Sequence, residues 1–129
     1  MTEWVWLETR IILAAHDEQL AEHGGAEGLR DQGALESAMA RPQNLVPYGD
    51  PDVAALAAAY AFGIAKNHPF VDGNKRSALV ALEAFLDVND YELTADDVQC
   101  VLIILGVADG SLSESELAGW IRKNLFKTR

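Results

Sequence analysis

The chain has 129 residues, half of them hydrophobic and 23% charged, with Cys100 its single cysteine. That reads as one ordinary globular domain over residues 1–129, and it excludes a disordered chain and a disulfide-stapled secreted scaffold. The 10 Lys and Arg stand against 20 Asp and Glu, a net charge of −10, so the surface repels phosphate backbones and argues against direct DNA binding.

The first predicted element runs from about Leu7 to Glu22, with Leu7, Ile11, Ala14, Ala15 and Leu20 at near-helical spacing. A glycine-rich stretch, His23 to Gly28, reads as a loop. Asp31 then caps a second helix carrying Leu35, Ala38 and Met39, which Pro42 is expected to stop. Gln43 to Gly49 reads as irregular, a place for a short hairpin or flap.

Pro51-Asp52 opens a third helix, from Val53 to about Lys66, that is apolar on every side and rich in alanine. Such a helix belongs at the centre of a fold, where alanines let neighbours approach closely. Its apolar run, Val53 to Ala65, is about 13 residues, well short of the ~20 needed to cross a bilayer. With no signal-peptide pattern at the start, the expectation is a cytoplasmic protein without a membrane partner.

A fourth helix begins near Asn74 with Leu79, Leu82, Phe85 and Leu86 on one face, and Tyr91-Glu92-Leu93 is a short extended piece. Thr94 and Asp97 resemble a capping box for a fifth helix through Val98, Val101, Leu102 and Leu105. Ser113 and Glu116 form a better one for a last helix through Leu117, Trp120, Ile121 and Leu125. No alternating pattern supports a sheet. The fold class is therefore all-α, a compact bundle of about six helices.

Chemistry concentrates in His68-Pro69-Phe70-Val71-Asp72-Gly73-Asn74-Lys75-Arg76-Ser77, between the two most buried helices. Gly73 permits a left-handed or tight turn. The backbone N–H groups from Gly73 through Arg76 then sit at a helix N-terminus, a ready anion site. Lys75 and Arg76 add cationic donors, and Asp72 is an oxygen ligand of the kind that holds Mg²⁺ together with substrate phosphates. His68 is the side chain best suited to take a proton from a hydroxyl near neutral pH. From Lys66 to Arg76 three cations face one carboxylate, a local surplus on an acidic chain. Taken singly, each of these residues has an ordinary structural reading: a hydrogen-bonded histidine, a turn aspartate, solvated cations. The coincidence of all of them at one helix start is what those readings leave unexplained. His16 and His23 read as structural, and Phe70 as core.

Other motifs are absent: there is no Walker A string, dinucleotide fingerprint or paired Cys/His set. Asp87-Val88-Asn89-Asp90-Tyr91 begins like a calcium loop but lacks its central glycine and closing glutamate.

The string His68 to Arg76 resembles the signature loop of Fic/Doc proteins, in particular the death-on-curing branch. Gly28-Leu29-Arg30-Asp31-Gln32-Gly33-Ala34-Leu35-Glu36-Ser37-Ala38 and Arg41-Pro42-Gln43 resemble the segment that precedes the loop in that branch. The resemblance implies a helical bundle with the loop leading into a central helix. AMP-transferring members carry Gly where this chain has Lys75 and a second arginine where it has Leu79, and both departures are shared with the death-on-curing toxins. By position it implies His68 as base, Asp72 as Mg²⁺ ligand, and Gly73, Asn74, Lys75 and Arg76 as the cradle for the phosphates of ATP. The implied activity is transfer of the terminal phosphoryl of ATP to a threonine of elongation factor Tu, which halts translation. The implied partner is a small Phd-like antitoxin acting in trans, because no internal Ser/Thr-x-x-x-Glu-Gly/Asn inhibitory motif is present. Trp4, Trp6 and Trp120 are candidate antitoxin contacts, with core packing as their alternative. An AMP transferase and a non-catalytic nucleotide- or protein-binding module remain the competing functions.

Overall fold

The computed structural model describes residues 3–129. It has six α-helices, α1 (Thr9–His23), α2 (Gln32–Leu45), α3 (Val53–Asn67), α4 (Asn74–Val88), α5 (Asp97–Asp109) and α6 (Glu114–Lys123), and two short strands, β1 (Tyr91–Leu93) and β2 (Leu125–Lys127).

As its composition predicts, α3 is the axis of the bundle. Eleven of its residues are buried, among them Leu56, Tyr60 and Ile64, and it packs against α2, α4, α5 and α6. Small residues make this possible: a Cβ added at Gly63 would lie 3.1 Å from the Ala38 Cα, so α2 and α3 cross almost backbone to backbone. Tyr60 is fully buried, and its hydroxyl accepts from the Leu7 N–H at 3.1 Å. Phe85 of α4 packs on Tyr60, and Trp4 and Trp6 close over it, with ring centroids 6.2 and 5.9 Å away. Both tryptophans, and Trp120, thus belong to the edge of the core.

Helix starts follow their capping residues. Asp31 accepts from Ala34 N, Asp52 from Ala55 N, and Ser113 with Glu116 forms a complete capping box. For α5 the cap is Asp96, accepting from Gln99 N, rather than Thr94. Pro42 does not stop α2, which continues to Leu45: the proline ring is buried, and that packing offsets the hydrogen bond its missing N–H forfeits. Residues 43–49 consequently hold no hairpin; Gln43–Leu45 finish α2 and Val46–Tyr48 form a 3₁₀ turn with Tyr48 projecting into solvent. In α1 the inward face is Ile12 and His16, one position away from the Ile11 stripe that spacing suggested.

The expectation of no sheet is corrected by β1 and β2, which pair antiparallel with Glu92 opposite Phe126. Three residues per strand are too few to print an alternation in the sequence. Leu125 therefore belongs to β2, and α6 ends at Lys123. Among the described residues no helix is long and apolar enough to cross a membrane.

At the head of α3, Arg122 of α6 holds the capping carboxylate of Asp52 with Nε 2.6 Å and Nη2 3.0 Å away. The Arg122 hydrogen bonds, then the Ala55 N–H, hold the Asp52 carboxyl below its ordinary range. A depressed carboxyl stabilises the fold above its unfolded pKa and loses that contribution as pH falls through the folded one. Arg122→Ala should lower the melting temperature slightly at pH 7, by less than about 1 kcal/mol for so exposed a pair. Melting curves across pH should show the gap to the parent closing as the solution is acidified through and below the ordinary carboxylate range.

Candidate active site

The chain reverses between α3 and α4 in six residues, and several devices hold the reversal. His68 ends α3 in the left-handed conformation, φ 48° and ψ 57°, which costs a non-glycine residue about 1–2 kcal/mol. Two residues on, Phe70 drops into the core at 1% exposure, a burial worth roughly 2 kcal/mol that offsets the strain. Asn74, the first residue of α4, clips the loop shut: its Oδ1 accepts from Phe70 N at 2.9 Å and its Nδ2 donates to Phe70 O at 3.0 Å. On the far side, Leu29 and Phe70 form an isolated antiparallel bridge.

His16, read from sequence as structural, turns out to be the loop's buried support. Only 2% exposed, it stacks on Phe70 with centroids 3.8 Å apart and planes 8° from parallel. Its Nε2 lies 2.7 Å from the carbonyl oxygen of Asp72, so Nε2 carries the proton and donates. The Asp72 carboxylate is held separately, accepting from Gly73 N at 2.8 Å and from Ala26 N at 3.4 Å. Ala26 lies in the glycine turn after α1, where a Cβ on Gly25 would fall 2.9 Å from Asp72 Oδ2.

Gly73 precedes α4 in the left-handed conformation, φ 81°, the freedom its position called for. No side chain among the described residues caps α4. Since Asp72 accepts the Gly73 N–H, the free N–H edge, of the kind that can receive an anion, consists of the N–H groups of Asn74, Lys75 and Arg76. With Oδ1 and one Nδ2 hydrogen committed to Phe70, Asn74 can offer an oxyanion its backbone N–H and its second Nδ2 hydrogen without loosening the clip.

These groups open into one cavity of about 600 Å³. His68, Asp72, Gly73, Asn74, Lys75 and Arg76 all line it, so the structure brings every sequence-selected residue to one place. Lys66 is not among them; it lies over the Phe62 ring and near Gly110 and Asp109, at the far end of α5. The cationic surplus at the cavity is thus Lys75 and Arg76 against Asp72.

Sequence reasoning missed the opposite wall, formed by Val101, Ile104 and Leu105 of α5 with Leu79 of α4. The spacing of Val98, Val101, Leu102 and Leu105 resembles a core stripe, yet all four are exposed and the buried residues of α5 are Cys100, Ile104 and Val107. A periodic pattern cannot tell a wall facing a cavity from one facing a core. Among the described residues no group of three or more His, Cys, Asp or Glu side chains could by itself hold a metal. A divalent cation at Asp72 therefore has to share its coordination with ligand oxygens.

Gly25→Ala should push the Asp72 carboxylate aside, whereas Gly24→Ala, also at positive φ but with open space around its Cβ, should not. In amide NMR spectra the Gly73 resonance, which reports that carboxylate, should move in the first variant and stay in place in the second.

Comparison with known proteins places this geometry in a wider group. The family model described as the Fic/DOC family matches residues 6–86, from Trp6 to Leu86 in the last turn of α4. A protein named protein kinase doc, of Escherichia phage P1, is 32% identical over 113 residues, covering 87% of this chain and 89% of that one. A protein named toxin Doc, of Mycolicibacterium smegmatis, is 45% identical over 75 residues, covering 57% of this chain and 58% of its own.

Proposed function

The chain belongs to the Fic/DOC family, and from that premise we propose that it is the toxin of a toxin–antitoxin pair, a single-domain kinase. It moves the terminal phosphoryl group of ATP to a threonine hydroxyl of elongation factor Tu and so blocks translation. The observation that carries this reading is the cavity in which His68, Asp72 and the uncapped start of α4 meet, with Lys75 inside it.

The residues present fit a metal-bound polyphosphate. Three free N–H groups, the positive end of α4 and two flexible cations converge on one end of the cavity, and Asp72 stands beside them as an exposed carboxylate. Mg²⁺ shared between Asp72 and the phosphates would neutralise charge on the transferring group. Lys75, Arg76 and the helix start hold and orient the phosphate oxygens and take up charge as it shifts toward the leaving oxygen. His68 accepts the hydroxyl proton at a ring nitrogen as the threonine oxygen bonds to the terminal phosphorus. The bond from that phosphorus to its bridging oxygen breaks, and ADP departs.

Lys75 favours phosphoryl over AMP transfer: a bulky cation stands where AMP-transferring members carry glycine, beside the N–H groups that would have to approach the inner phosphates. A Phd-like antitoxin would restrain the enzyme in trans. The relative named as a toxin and the one named as a protein kinase support the two halves of the reading.

ATP labelled on its terminal phosphate should label elongation factor Tu in the presence of Mg²⁺, and ATP labelled on its inner phosphate should not. The reverse pattern would establish AMP transfer; labelling by neither, with ATP still bound, would establish a non-catalytic module. His68→Ala should lower the labelling rate about 10²–10⁴-fold with an unchanged melting temperature. A folded variant as active as the parent removes His68 from the mechanism.

A further inference from the structure

The segment before α2 makes contacts that neither the cavity nor the fold requires of an exposed arginine. Arg30 is exposed, yet its Nε donates to the His68 carbonyl at 2.7 Å and its Nη2 to the Asn67 carbonyl at 2.9 Å. Its own N–H, and that of Asp31, donate to Pro69 O at 2.8 and 3.0 Å, while Val71 N donates to Gly28 O at 3.1 Å. The arginine is therefore anchored by its backbone to the same loop that its side chain grips. Asn67 adds a tie from the other direction, its Nδ2 donating to Ala34 O of α2 at 3.1 Å.

The choice of the two carbonyls matters. They belong to the peptide planes on either side of the His68 Cα, so a rigid fork that holds both fixes φ and ψ of His68 together. Fixing both sets the direction in which the imidazole leaves the backbone. At φ 48° this histidine sits in a region that side-chain-bearing residues rarely occupy, and a free helix end would relax out of it. A guanidinium also suits the negative end of α3, whose last carbonyls have no helical partner. Lysine carries the same charge without the planar fork.

We propose that Arg30 is a positioning residue for His68: it locks the backbone on both sides of the histidine and thereby aims the imidazole at the reacting hydroxyl. This rests on the reading of His68 as the base, and the test separates the two.

Arg30→Ala and Arg30→Lys are compared with Arg122→Ala, which removes an exposed arginine from the opposite end of α3. In Arg30→Ala the turnover of elongation factor Tu labelling should fall about 10–100-fold, with the KM for ATP within about twofold of the parent. Arg30→Lys should recover little of the loss, because it restores charge but not geometry, and Arg122→Ala should keep parental turnover. Imidazole ¹H–¹⁵N spectra of the nucleotide-free protein supply the independent readout: the His68 signals should shift or broaden in both Arg30 variants while those of His16 and His23 stay put. Unchanged His68 signals would overturn the proposal whatever the activity, and so would full recovery in Arg30→Lys. Altered His68 signals with parental turnover would uphold the positioning and instead dismiss His68 as the base.

Discussion

The stacking of His16 on Phe70 is the contact on which the site depends. Phe70 sits midway between the end of α3 and the start of α4, and once its ring is buried the loop ends have little freedom left. His68 must leave α3 in a left-handed turn, and Asp72 and Gly73 must swing outward to meet the first turn of α4. Because the partner ring is a histidine, the same side chain that packs on Phe70 also anchors the Asp72 carbonyl. An apolar residue at position 16 would bury Phe70 equally well and leave that carbonyl unheld. The polar edge of the cavity is thus a by-product of core packing, presented on a rigid base rather than on a mobile loop.

This arrangement also explains how a strongly acidic chain can present a local surface suited to an anion. Net charge acts over long distances and is screened within about 10 Å at moderate salt. The helix start and its two neighbouring cations act at contact distance inside a concave surface, where the N–H groups cannot be neutralised by distant carboxylates. The nearest carboxylate, Asp72, has one oxygen on Gly73 N and the other on Ala26 N, so it lies beside the free N–H edge of α4 rather than across it.

Much of this was legible in the sequence. An alanine-rich helix apolar on every side could only be central, and Asp31, Asp52 and Ser113 marked their helix starts correctly because side-chain capping is a local event. The loop from His68 to Arg76 stood out because its polar residues lie within a few positions of one another, and they line one cavity. What escaped was set by distant parts of the chain. Pro42 is tolerated because of what its ring packs on, and the pairing of β1 with β2 joins segments more than thirty residues apart. The apolar wall on α5 and the roles of His16 and Arg30 are contacts between elements that no periodicity encodes. The family match ends at residue 86, before α5 begins, so the cavity's polar residues and Leu79 lie within the match while Val101, Ile104 and Leu105 of its apolar wall lie outside it.

The crossing of α2 and α3 has a consequence for how this sequence can drift. Gly63 and Ala38 together define a tight spacing: a Cβ at Gly63 would require the Ala38 backbone to give by a few tenths of an ångström, and Ala38 itself has almost nothing to shed. The turn that grips the end of α3 is carried at the head of α2, which makes the crossing a fulcrum between the two. A methyl group gained there would have to be accommodated by a shift of α2 against α3, the helix whose end Arg30 grips through the Asn67 and His68 carbonyls.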